Sequence, residues 1–92
     1  MSTVTVSLSG ALAAVAGVTN IEVEASSLSE VLTGLSTRYG GAFNEKLYDA
    51  NGKPRRFINI YVNGRDYRFL KKLDTELANK DEGSLIPAVS GG

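Results

Sequence analysis

Hydrophobic and polar residues alternate strictly near the start of the chain, with Val4, Val6 and Leu8 set against Thr3, Thr5 and Ser7. A period of two puts one set on each face of a pleated strand, so Thr3 to Leu8 is expected to be half-buried. Ile21-Glu22-Val23-Glu24 alternates in the same way, and the small-residue stretch between Gly10 and Gly17 is expected to be the long turn of an N-terminal hairpin. The period then changes. Leu28, Val31, Leu32, Leu35 and Tyr39 fall at i, i+3, i+4, i+7 and i+11, one stripe of an amphipathic helix. Ser27 followed by Glu30 is a capping-box pattern at its start, and Gly40-Gly41 is expected to stop it.

Beyond the helix, Phe43 to Tyr48 reads as a connection with a short helical turn or strand, and Asp49 to Pro54 as an exposed loop. Arg56 to Val62 has the strongest strand pattern, with Ile58, Ile60 and Val62 on one face and Phe57, Asn59 and Tyr61 on the other. Asn63-Gly64 is a two-residue hairpin signal leading to a short strand around Asp66 to Arg68. Leu73 to Leu77 is expected to be an ordered connection, Asp81-Glu82-Gly83 a turn, and Ser84 to Pro87 a final strand. Ala88 to Gly92 has little to hold it. The predicted architecture is α+β, a mixed sheet of four to five strands with one main helix across one face. With no internal repeat or linker, residues 1–92 are expected to form a single domain, of which 88–92 are a flexible functional tail.

Composition narrows the function more than the fold. Ten Lys and Arg balance ten Asp and Glu, without the basic excess that phosphate contacts demand, so no nucleic-acid partner is expected. The 92 residues contain no cysteine and no histidine, which removes disulfides, redox dithiols, the usual zinc sites and histidine-based triads. No apolar run approaches the roughly 20 residues that cross a bilayer. No basic segment precedes Ala11 to Gly17 as a signal peptide would require, and a cytoplasmic protein without a membrane partner is expected. Phosphate-cradling glycine motifs are missing as well.

Few candidates for chemistry are left. Asp74, Glu76, Asp81 and Glu82 stand beside turn signals and lysines and read as solvated surface, since catalytic carboxylates need burial or strong coupling. Lys53, Arg55 and Arg56, with Phe57 and Tyr61 as stacking platforms, would suit RNA, but one helix and a neutral balance fit that fold poorly. Phe57, Tyr61 and Ile86 are expected on the sheet face away from the helix. There they form either an apolar docking patch rimmed by Arg55, Arg65 and Arg68 or a surface covered by a loop or the tail. Gly91-Gly92 is either a frayed end or a functional one. Without Cβ atoms its last peptide can enter a narrow slot and offer its carboxylate to an enzyme.

Three segments together resemble a known family: Phe57-Ile-Asn-Ile-Tyr-Val-Asn-Gly64, Asp66-Tyr-Arg-Phe-Leu70 and Leu85-Ile-Pro-Ala-Val-Ser-Gly-Gly92. They are similar to the ThiS/MoaD sulfur carriers, most of all to the CysO-like branch that serves cysteine biosynthesis, and the likeness spans essentially the whole chain. The resemblance implies a ubiquitin-like β-grasp fold and a protein cosubstrate rather than an enzyme. Gly92 would carry the adenylate and then a thiocarboxylate, Gly91 would give access to it, and Phe57, Tyr61, Ile86, Pro87 and Val89 would meet partners. It implies no cofactor bound by this chain, because ATP and Mg belong to a ubiquitin-activating-type adenylating enzyme. Further implied partners are a sulfurtransferase or sulfide source, an acceptor such as a pyridoxal-phosphate-dependent cysteine synthase, and a JAMM-type metallopeptidase. A ubiquitin-like protein modifier and a MoaD-like small subunit of molybdopterin synthase are the alternatives. Many relatives read Asp-Gly-Asp where this chain has Asp81-Glu82-Gly83, so the geometry of that turn is open to difference.

Overall fold

The computed structural model describes residues 2–87. Strand β1 (Ser2–Leu8) leads through helix α1 (Gly10–Ala16) to β2 (Asn20–Ala25), and α2 (Leu28–Leu47) follows. The remaining strands are β3 (Ile58–Val62), β4 (Arg65–Asp66) and β5 (Glu82–Pro87), with 3-10 turns at Tyr67–Phe69 and Lys72–Asp74. The five strands form one sheet in the order β2-β1-β5-β3-β4. β1 and β5 run parallel from Thr5↔Glu82 to Leu8↔Leu85, and the other pairs are antiparallel. The first and last strands therefore form the middle of the sheet, and both helices pack against it.

Alternation places the core as expected. Val4, Val6 and Leu8 of β1, Ile58, Ile60 and Val62 of β3 and Leu85 of β5 are buried against Leu28, Val31, Leu32 and Leu35 of α2. At the start of α2, Ser27 Oγ accepts from the Glu30 N–H at 3.3 Å, one half of a capping box. The return bond lands one residue early, from the Ser26 N–H to Glu30 Oε1 at 2.7 Å. Asn63 (φ 51°) and Gly64 (φ 83°) are both left-handed, as a two-residue hairpin of the primed kind requires, and they join β3 to β4.

Five expectations are corrected. The turn expected at Asp81-Glu82-Gly83 lies earlier, at Asn79 and Lys80, because Glu82 and Gly83 already pair with Thr5 and Val6 as the start of β5. The stretch after Gly10 is the helix α1 rather than a turn. Its alanines favour helix, Leu12 is fully buried, and the Gly17 N–H closes it on the Ala13 carbonyl at 2.8 Å. Gly40 breaks the direction of α2 without ending it. Its φ of 76° and ψ of −158° are open in practice only to glycine, yet helix resumes because Phe43 and Leu47, four apart, are both fully buried. β3 begins at Ile58, leaving Arg56 and Phe57 in a turn. Extended structure after the hairpin stops at Asp66, whose carboxylate accepts the Arg68 N–H at 2.9 Å and starts a 3-10 turn instead.

Candidate functional site

The proposed reactive end, Gly91 and Gly92, lies outside the described residues, as does Val89. What the structure positions is the base from which that segment departs. Pro87 is level with Ile58 across the sheet and packs beside the start of α1. A Cβ added at Gly10 (φ 58°) would stand 3.4 Å from the Pro87 ring, so a bare α-carbon serves both the turn and the close approach. Beside Pro87 is a cavity of about 300 Å³ lined by Leu12, Lys46, Arg55, Phe57 and Ile58 among others. Arg55 is held there by its Nε–H, which donates to the Glu45 carbonyl at 2.8 Å. The end of β5 is therefore fixed by two neighbours, a strand on one side and a short helix at its tip.

The sheet face opposite the helices carries Thr3, Thr5 and Ser7 of β1, Asn59 and Tyr61 of β3, and Glu82, Ser84 and Ile86 of β5, as the strand register requires. Glu22 and Glu24 of β2 continue it through their pairing with Thr5 and Thr3. Most of this face is polar, and Tyr61 and Ile86 are its large apolar members. Ile86 is 42% exposed and Tyr61 half-buried. Phe57, 48% exposed, does not join them. It precedes the first residue of β3, so the pleat does not govern it, and it turns to the cavity beside Pro87. The expected patch of two aromatics and an isoleucine is divided between the open face and the tail base.

The expected basic rim is also altered. Arg68 makes a two-pronged contact with Asp66, Nε to Oδ1 at 3.1 Å and Nη2 to Oδ2 at 2.9 Å, and Nη2 also reaches Asn59 Oδ1 at 3.2 Å. These bonds from the guanidinium, and then from the Arg68 N–H, hold the Asp66 carboxyl below its usual range and push Arg68 up. Arg68 thus belongs to a neutralised pair beside Tyr61, while Arg65 is exposed at the edge.

Of the four carboxylates Asp74, Glu76, Asp81 and Glu82, the first two and Glu82 are exposed, and Asp81 holds backbone and side-chain donors. Asp81 accepts from Asn63 Nδ2 at 3.0 Å and from the Ala78 N–H at 2.8 Å, while Asn63 Oδ1 accepts the Glu82 N–H at 2.9 Å. This clasp ties the β3–β4 hairpin to the entry of β5. Asp49 accepts the N–H groups of Lys53 and then Asn51, which hold its carboxyl below the usual range and shape the loop before β3. Among the described residues no group of three His, Cys, Asp or Glu side chains is placed to hold a metal, and no helix is long and apolar enough to cross a membrane.

Two features are not anticipated by the sequence patterns. Gly10 matters through a neighbour 77 positions away, Pro87, and no local pattern carries that. Phe69 is 88% exposed. An alternating or helical template would bury it, and its 3-10 turn follows neither.

The model of the ThiS family matches residues 6–92. The chain belongs to the ThiS family. It is a homologue of proteins named as sulfur carriers. It is 38% identical over 78 residues to the sulfur carrier protein CysO of Mycobacterium tuberculosis, covering 83% of each chain. Its fold is that of the ubiquitin-like β-grasp members of this group. The solution structure of small archaeal modifier protein 1 from Methanosarcina acetivorans superposes with a TM-score of 0.89 at 30% identity, covering 100% of this chain and 98% of that one. A chain of the BexX/CysO complex of Amycolatopsis orientalis superposes with a TM-score of 0.82 at 32% identity, covering 97% and 99%. This ThiS-family chain therefore has sulfur-carrier relatives over most of its length.

Proposed function

We propose that this protein is a sulfur carrier whose Gly92 carboxylate is converted to a thiocarboxylate. The observation that carries the proposal is that the ThiS-family match runs through Gly92, only five residues beyond the anchored Pro87. Those five residues reach at most about 17 Å, which is enough to enter an active site while the folded body stays outside. An adenylating enzyme with ATP and Mg joins AMP to the carboxylate and releases pyrophosphate. Sulfide then attacks the acyl carbon, the bond to AMP breaks, and the thiocarboxylate remains as a nucleophile for an acceptor. A pyridoxal-phosphate enzyme holding an activated serine derivative is the acceptor we favour, with a JAMM-type peptidase releasing the cysteine. Tyr61 and Ile86 on the open face, and Phe57 and Pro87 at the tail base, form the surface offered to the adenylating enzyme.

Intact mass after incubation with an adenylating enzyme, ATP and sulfide tests the proposal. A gain of about 16 Da, oxygen exchanged for sulfur, is expected. Deletion of Gly92 is expected to abolish that gain and leave the thermal transition unchanged, and a retained gain would refute the assignment of Gly92. The likeness to small archaeal modifier protein 1 favours a second reading, in which the same activated end is joined to lysines of other proteins. Conjugates in place of the thiocarboxylate would select it.

A further inference from the structure

Phe69 is the most exposed large hydrophobic side chain among the described residues, and nothing in the carrier chemistry uses it. Its backbone is well held. Asp66 caps the 3-10 turn, the Leu70 N–H closes it on the Tyr67 carbonyl at 3.0 Å, and Tyr67 and Leu70 on either side pack against the core. A rigid turn thus projects one aromatic ring into water, an arrangement that leaves apolar area unburied on a surface where such area usually has a partner. The ring forms one wall of an open hollow whose other walls are Leu70, Lys71, Thr75 and Glu76. Lys71 and Glu76 are both exposed and, among the described residues, neither is in an ion pair.

One small patch therefore holds a projecting ring, a hollow beside it, and one charge of each sign on the hollow's border. A two-fold symmetric contact needs such a self-complementary patch, because each residue of the pair must serve as both donor and receiver. We infer that this patch is a self-association surface, with Phe69 of each copy seated in the hollow of the other and Lys71 facing Glu76 across the axis. A formal net charge of zero leaves little long-range repulsion between two copies. The location suits the inference as well. Glu76 bridges to Ser27 at the N-terminal end of α2, whereas the cavity at Pro87 is bounded by Glu45 and Lys46 near its other end. The two sites thus lie by opposite ends of α2, so a pair joined at Phe69 keeps both tail bases open.

Sedimentation velocity over a concentration series reads this directly and needs no activating enzyme, so it is independent of the sulfur-carrier proposal. A contact this small gives a weak, concentration-dependent dimer. Phe69→Ala is expected to raise its dissociation constant about tenfold or more. Lys71→Glu is expected to weaken it by reversing one of the facing charges. Adding Glu76→Lys to that variant is expected to restore association, because the swapped charges face each other again. Circular dichroism of each variant confirms that the fold is kept, which the exposure of all three side chains favours. A monomer at millimolar concentration, association unchanged by Phe69→Ala, or a charge-swapped double variant no better than Lys71→Glu would overturn the inference.

Discussion

The two faces of the sheet are built from alternate residues of the same strands and obey different rules. On the helix side Val4, Val6 and Leu8 of β1 and Ile58, Ile60 and Val62 of β3 are buried, and Phe43 and Leu47 of α2 complete the layer. On the open side the same strands present Thr3, Thr5, Ser7, Asn59 and Tyr61, with Ile86 as the exposed aliphatic neighbour on β5. The apolar side chains at the centre of the first face are fully packed, so each loss there is felt as a cavity. Few side chains on the second face are packed tightly enough for stability to depend on them, which leaves it free to serve recognition.

Adjacent residues of β5 test that contrast most severely. Leu85→Ala, at a fully buried position, is expected to cost about 2–5 kcal/mol, read from denaturant unfolding. A second perturbation of the buried side is Gly40→Ala, where a side chain is forced into the glycine-only conformation that redirects α2. A loss of about 1–3 kcal/mol is expected, and an unchanged midpoint would mean that the kink can relax without disturbing Phe43. On the open face, Ile86→Asp is expected to change stability by less than about 0.5 kcal/mol. It should instead raise the KM of the adenylating enzyme for this protein while kcat holds. A large loss of stability there would erase the distinction between the faces.

The smallest effect expected is the acid response of the Asp66–Arg68 pair on the open face. The Asp66 carboxyl is held below its ordinary 3.8 by the guanidinium that bonds to it. A depressed carboxylate contributes its stabilisation above its unfolded value and loses it as pH falls through the folded one. The contact is therefore expected to be intact throughout neutral and mildly acidic solution. NMR titration of the Asp66 side chain should give a midpoint below 3.8, and Asp66→Asn should flatten the change at Arg68. A midpoint at or above the ordinary value would show that the pair does not persist in water.

Much of the fold was legible because its signals are local. The alternation in β1 and β3, the stripe from Leu28 to Tyr39, the Ser27 cap and the Asn63-Gly64 hairpin each need only a few neighbouring residues, and each is found where expected. Helix α1 was missed because one buried residue, Leu12, makes no stripe; the remaining signal was alanine content bracketed by Ser9 and Gly17. The run of α2 past Gly40 was missed because a glycine pair predicts a stop, whereas the burial of Phe43 and Leu47 outweighs it. For the site, Ile86 was placed correctly by period two. Phe57 is not, since the expected strand starts at Arg56, two residues ahead of β3.

What the sequence determined by itself is the main strands and the start of the main helix, the core-facing residues within them, and the terminal motif that marks a ThiS-family chain. Hydrophobic periodicity and turn chemistry act over a few residues, so a linear reading recovers them. Tertiary structure alone decided that β1 and β5 pair in the middle of the sheet, and that Gly10 and Ile58 hold Pro87 at the point where the tail begins. It also decided that Phe69 is left outside. These depend on contacts between residues tens of positions apart. Burial is shared out among them only when the whole chain has closed.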